Sequence, residues 1–164
     1  MNTIYTKHAA DRKLVVTRTF DAATDLVWQA WTDSTLLDQW WAPKPWQTMT
    51  KYMDFSEGGY WLYSMNGPEG EQHWARADYE HIEPTVRYTA NDAFCDAEGN
   101  ITDEAPGMHW SVKFTPAGSA TQVIVEVTFD SLEDMDKIVE MGFREGFAAA
   151  HDNLDVLLAS LRAA

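Results

Sequence analysis

The sequence predicts an α+β fold: an antiparallel sheet of six to seven strands packed on a long C-terminal helix, with two short helices after the first strand. Three observations carry it. Apolar residues recur at helical spacing over 24–41 and again over 132–161. The stretch between, 46–129, alternates with period two. Glycine, proline and small polar residues interrupt that stretch where hairpins need them.

The first strand is read over Lys13–Phe20, whose β-branched and apolar residues suit a pleated surface. Asp21 or Thr24 is placed to cap a short helix carrying Leu26, Val27, Ala30 and Trp31. A second short turn holds Leu36, Leu37, Trp40 and Trp41 and stops at Pro43. Core packing is expected of Val27, Ala30, Trp31 and Leu37. Two adjacent tryptophans on so short a turn are expected to diverge, one of the Trp40/Trp41 pair facing inward and the other outward.

Strands follow over 47–55, 60–65, 72–82, 86–90, 108–114 and 121–129, with turns at Ser56-Glu57-Gly58-Gly59, Asn66-Gly67-Pro68-Glu69-Gly70, Glu83-Pro84-Thr85 and Pro116-Ala117-Gly118-Ser119. Alternation sets Trp61, Tyr63 and Met65 on one face and Trp110, Val112 and Phe114 on the same side of the sheet. Strand 72–82 is ambiguous: His73, Ala75, Ala77 and Tyr79 share one face, and a bulge would bring both Tyr79 and Ile82 inward. The last segment, Leu132 to Leu161, reads as one helix of about 45 Å, with Phe143, Phe147, Ala150, Leu154 and Leu158 on one side. Gly142 and Gly146 interrupt it and mark a bend or close approach, or a helix start able to admit a ligand.

Composition narrows the function. With 164 residues, 45% of them hydrophobic and 13% aromatic, the chain is expected to form one domain over 1–164. Twenty-six acidic against 12 basic side chains give a net charge of −14, which repels phosphate backbones and argues against nucleic acid as a partner. The N-terminus lacks a signal-like apolar run and no stretch is apolar enough to insert in a membrane, so a cytoplasmic location is expected. One cysteine, Cys95, precludes an intrachain disulfide.

No metal is expected, because His8, His73, His81, His109 and His151 are scattered without ligand spacing and read as surface residues. The acidic loop Asp96–Glu104 has its glycine fourth rather than sixth and reads as a solvated hairpin loop. There is no nucleophile elbow and no phosphate loop, so neither a catalytic residue nor a cofactor is assigned. Arg76 and Arg87 read as strand residues paired with surface carboxylates.

The order and spacing of Val27-Trp28-x-Ala30-Trp31-Thr32-Asp33, Trp40-Trp41-x-Pro43, Asp54-Phe55-x-x-Gly58-Gly59-x-Trp61, Ile82-Glu83-Pro84 and Gly146-Phe147 before Leu154-Asp155 carry a resemblance. Over about 13–161 the chain resembles the activator of heat-shock-protein-90 ATPase homologue-like domain, within the SRPBCC superfamily of START and birch-pollen-allergen-like proteins. The resemblance implies a helix-grip fold, a curved sheet wrapped around the C-terminal helix with a cavity between.

Candidates for lining that cavity are Trp40, Trp41 and Trp46 from the tryptophan-rich stretch, and Trp61, Tyr63, His73 and Tyr79 from the middle strands. Trp110, Val112, Met141 and Phe147 complete the set. The favoured function is binding of a small hydrophobic or amphipathic molecule. A cyclase- or hydrolase-like enzyme is the first alternative, with His73/Tyr79/His109 and Arg76/Asp78 as its polar clusters. The second is a co-chaperone-type stress-response protein in contact with a chaperone ATPase. The eukaryotic activators' separate N-terminal domain has no counterpart in these 164 residues. Oligomeric state is left open.

Overall fold

A computed structural model describes residues 3–163. Eight strands form one antiparallel sheet: β1 (Ile4–His8), β2 (Lys13–Phe20), β3 (Gln47–Met53), β4 (Tyr60–Asn66), β5 (Gln72–Glu83), β6 (Arg87–Cys95), β7 (Met108–Ala117) and β8 (Ala120–Thr128). Their order is β1-β2-β8-β7-β6-β5-β4-β3. One strand more than expected is present, because β1 pairs with β2 in the register Ile4↔Thr17 to His8↔Lys13 and extends the edge. Its side chains are mostly exposed, so it lacks the apolar alternation that marks the other strands.

The helices α1 (Thr24–Thr32) and α2 (Ser34–Trp40) carry the chain from β2 near one edge to β3 at the other. Ala23, not Asp21 or Thr24, is the N-cap of α1 and makes no side-chain bond; Thr24 instead meets the hydroxyl of Thr121 at 3.0 Å. The second helix is capped by Asp33, whose carboxylate accepts the Thr35 N–H at 2.8 Å. Val27, Ala30, Trp31 and Leu37 are all buried, as their spacing requires.

The expected single C-terminal helix is two, α3 (Leu132–Glu140) and α4 (Phe143–Ala163). The break is Gly142 with φ +94, a left-handed backbone that a residue with a Cβ rarely adopts. A Cβ built there meets nothing within 4 Å, so Gly142→Ala carries a backbone cost alone. Its expected loss of stability is about 1 kcal/mol, measurable by urea unfolding, and a neutral result would show that the break tolerates right-handed geometry.

The core lies between the concave face of the sheet and the helices. Leu14, Val16 and Phe20 of β2, Val112 and Phe114 of β7, and Val123, Val125 and Val127 of β8 are buried against Phe147, Ala150, Leu154 and Leu158 of α4. Tyr79 is buried and Ile82 packs on the core through a register shift between them, the bulge expected of this strand. The expected end of β6 at Ala90 is too early: the strand runs to Cys95, and Ala90↔Trp110, Asn91↔His109 and Asp92↔Met108 continue its ladder with β7.

Candidate functional site

A cavity of about 260 Å³ opens between the sheet and the α3–α4 break. Tyr63 and Met65 of β4, Ala75 of β5, and Asp92 and Phe94 of β6 face it, together with Met108 and Trp110 of β7. Across from them stand Trp41 and Pro43 after α2, and Ile138, Met141, Gly142, Phe143 and Phe147 of the C-terminal helices. A smaller void of about 20 Å³ lies deeper, and Trp41, Tyr63, Asp92 and Trp110 line both spaces. The sheet floor exists because period-two alternation sends every second residue of β4 to β7 to the same side.

Trp41 is held in place from two directions. Its indole N–H donates to the Tyr63 hydroxyl at 3.2 Å, and the Asn153 side chain of α4 donates to the Ala42 carbonyl at 3.0 Å. Tyr63 in turn stacks on Trp61 at 3.9 Å between ring centres. Burial pushes the Tyr63 phenol well above its ordinary pKa, so it stays protonated and acts as a hydrogen-bonding group rather than a base.

Asp92 is the polar residue that sequence reasoning missed. Its Oδ1 is buried without a hydrogen-bond partner. Burial, reinforced by the charge of Asp78 and opposed by the Ala93 backbone N–H, pushes its carboxyl up to about 7. The indole N–H of Trp110 is a second buried polar atom of the lining without a partner. The signal for Asp92 was available in Tyr88-x-Ala90-x-Asp92-x-Phe94, a carboxylate on an apolar face, but only once the strand is carried past Ala90.

Of the residues expected at the cavity, Trp41, Tyr63, Trp110, Met141 and Phe147 line it, and Trp61 and Tyr79 line the deeper void. Four do not. Trp40 is 1% exposed and packs against Trp31, its N–H donating to the Ala30 carbonyl at 2.9 Å. The divergence expected of the pair is therefore corrected: both rings are inside, Trp40 under α4 and Trp41 on the cavity. Trp46 and His73 stack on each other at 5.7 Å outside the cavity, with His73 exposed. Val112 is fully buried among core residues, because its register places it under the helices rather than beside the break.

The polar clusters considered for catalysis are dispersed. His109 faces away from the cavity and pairs with Glu80 at 3.0 Å, so it does not meet His73. Arg76 forks onto Asp78 and donates to the Gly99 carbonyl at 2.8 Å, on the sheet face opposite the cavity. Arg87 pairs with Glu83 at 3.4 Å on the surface. Cys95 is buried, which pushes its thiol up to about 11 and leaves it unreactive at neutral pH. The acidic loop is a hairpin turn in which Asp96 accepts from the backbone of Glu98 and Asn100.

His151 departs from the expected surface position. It is 1% exposed, set 4.2 Å from the Phe147 ring and flanked by Phe20 and Trp31. Burial and the nearby Arg18 cation depress its pKa to about 3, so it is neutral. Arg18, on the same face of β2 as Leu14, Val16 and Phe20, is itself buried and reaches Asp152 at 2.8 Å and Thr3 at 2.8 Å. Among the described residues, no group of three or more His, Cys, Asp or Glu side chains is placed to hold a metal, and no helix is long and apolar enough to cross a membrane.

The model of the family described as activator of Hsp90 ATPase homolog 1-like protein matches residues 21–159. The chain belongs to that family. The match covers the tryptophan-rich stretch, the sheet floor of the cavity and most of α4, and it bears out the resemblance seen in the sequence. Solved relatives share the whole architecture. A protein from Arthrobacter aurescens is 30% identical with a TM-score of 0.90, over 96% of this chain and 91% of that one. Protein Ms6760 from Mycobacterium smegmatis is 25% identical with a TM-score of 0.88, over 95% and 96%. The AHSA1 protein from Silicibacter pomeroyi, at 19% identity and a TM-score of 0.72 over 90% and 97%, shares the fold. No curated protein matches the chain. The helix-grip architecture expected from the resemblance is thus present, a curved eight-stranded antiparallel sheet around the C-terminal helix.

Proposed function

We propose that this member of the family binds a small hydrophobic or amphipathic molecule in the cavity beside the α3–α4 break. The observation that carries the reading is the cavity itself: about 260 Å³, lined mainly by aromatic and aliphatic side chains, with Met141 56% exposed beside Gly142 at its rim. Small-molecule sites are concave, mostly apolar and supplied with few polar groups. Glycine at the break lets the backbone turn there without a side chain across the opening.

Native mass spectrometry of freshly purified protein, followed by solvent extraction, tests the reading directly. A bound small molecule at one equivalent supports it; an empty protein that takes up nothing from a panel of lipids and aromatics overturns it. Filling the floor gives an independent check. Ala75 is 4% exposed and lines the cavity, so Ala75→Leu occupies ligand space. Ligand affinity is expected to fall about tenfold or more, the equivalent of about 1.4 kcal/mol, in a titration that follows tryptophan fluorescence, to which Trp41 and Trp110 of the lining contribute. Unchanged affinity would place the ligand elsewhere.

The family match favours a second reading, contact with a chaperone ATPase. Chaperone ATPase turnover with and without saturating protein decides it, and no change removes it.

A further inference from the structure

The charge in the cavity lining is one-sided. Among its lining residues Asp92 is the only carboxylate, and none is Lys, Arg or His. Among the described residues, Asp92 forms no ion pair with a basic side chain, and its Oδ1 has no hydrogen-bond donor. The basic side chain nearest in the ladder, Arg76, pairs with Asp78 of its own strand on the sheet face opposite the cavity. Aromatic rings share the lining with the carboxyl and touch one another, Trp41 tilted against Trp110 at 5.8 Å, Trp110 edge-on to Phe147 at 5.4 Å, and Phe143 tilted against Phe147 at 5.4 Å.

We propose that the ligand is an amphipathic ammonium ion, an apolar or aromatic group bearing a protonated or quaternary amine, with Asp92 as its counter-ion and the aromatic rings around the charge. The proposal rests on the cavity being a ligand site. A neutral hydrocarbon would leave the Asp92 oxygen buried and unpaired, which is costly. A carboxylate ligand would find no basic side chain and would face a like charge. A cation satisfies the orphaned oxygen and gains from the ring faces, whose quadrupoles attract ammonium groups. The net charge of −14 also favours approach of cations over anions.

Three probes with one carbon skeleton separate the alternatives: phenylpropylamine, phenylpropanol and phenylpropanoate, titrated calorimetrically at pH 8 against the full chain and its Asp92→Asn variant. The amine is expected to bind about tenfold or more tighter than the alcohol, and the carboxylate more weakly than either. In Asp92→Asn the amine is expected to lose that advantage while the alcohol binds as before. Equal binding of amine and alcohol, or an amine preference that survives in Asp92→Asn, overturns the ammonium assignment and leaves the cavity reading standing. Failure of all three to bind overturns both.

Discussion

Replacing Trp31 with alanine is expected to cost about 3–5 kcal/mol. Trp31 is 1% exposed and sits where α1, α2, α4 and the sheet meet. Its ring contacts Trp40 at 4.8 Å and Trp41 at 6.0 Å from the end of α2, Phe114 of β7 at 6.0 Å, and Phe147 at 6.3 Å and His151 at 5.8 Å from α4. Removing the indole opens a cavity that the packed neighbours on α2, β7 and α4 cannot collapse into, and against a typical domain stability of about 5–15 kcal/mol the remainder is small. Urea unfolding should show a lower midpoint with an unchanged slope. Trp31→Phe should recover much of the loss, because the indole N–H has no hydrogen-bond partner to forfeit. Trp46→Ala is the contrast: its half-exposed ring stacks on exposed His73, and its cost is expected to stay within about 1 kcal/mol. A Trp31→Ala loss no larger than that of Trp46→Ala would contradict this account of the core.

Asp92→Asn is expected to stabilise the empty protein at alkaline pH and to leave it unchanged near pH 4. Folding raises the carboxyl from 3.8 to about 7, so between those values the native state holds a proton that the unfolded chain has released. Stability from this group is therefore complete below pH 3.8, declines as pH rises, and is lost above about pH 7. The isosteric amide does not ionise. The stability difference between variant and parent should grow from near zero to a plateau of about 2–4 kcal/mol above pH 7. His151 runs the other way: its depressed pKa of about 3 means that stability is lost as pH falls from 6.5 through 3. The two slopes oppose each other in the parent over the mildly acidic range, and comparison of the variants separates them, since His151 is common to both. A pH-independent difference between Asp92→Asn and the parent would show that the carboxyl is not desolvated. The same substitution that stabilises the empty protein is expected to weaken ammonium binding.

Much of the architecture was legible from periodicity. Trp61, Tyr63 and Met65 face the helices as alternation places them, and Val27, Ala30, Trp31 and Leu37 are core as helical spacing places them. The bulge that lets Tyr79 and Ile82 both turn inward was also readable from their odd separation. The pairing of β1 was not, because an exposed edge strand carries no apolar alternation and is held by backbone bonds to β2. Nor was the split of the C-terminal helix. Two glycines mark where a helix is weak, but only Gly142 adopts a left-handed backbone, while Gly146 continues inside α4 close to Pro43.

The candidate site divides in the same manner. The aromatic supply of the cavity was visible as an excess of aromatic residues, and Trp41, Tyr63, Trp110 and Phe147 belong to it. What the sequence by itself determined is which faces are apolar and in what order the elements come, since both follow from local periodicity and turn chemistry. Only the tertiary structure decided which of those apolar side chains fill the core and which border empty space. Trp40 and Trp41 are chemically identical neighbours, yet one is buried between α1 and α4, bonded to the Ala30 carbonyl and packed near His151, and the other stands on the cavity beside Tyr63. It also decided the charge states of Asp92 and His151. Desolvation depends on what packs around a group from distant parts of the chain, and that is a property of contacts rather than of spacing.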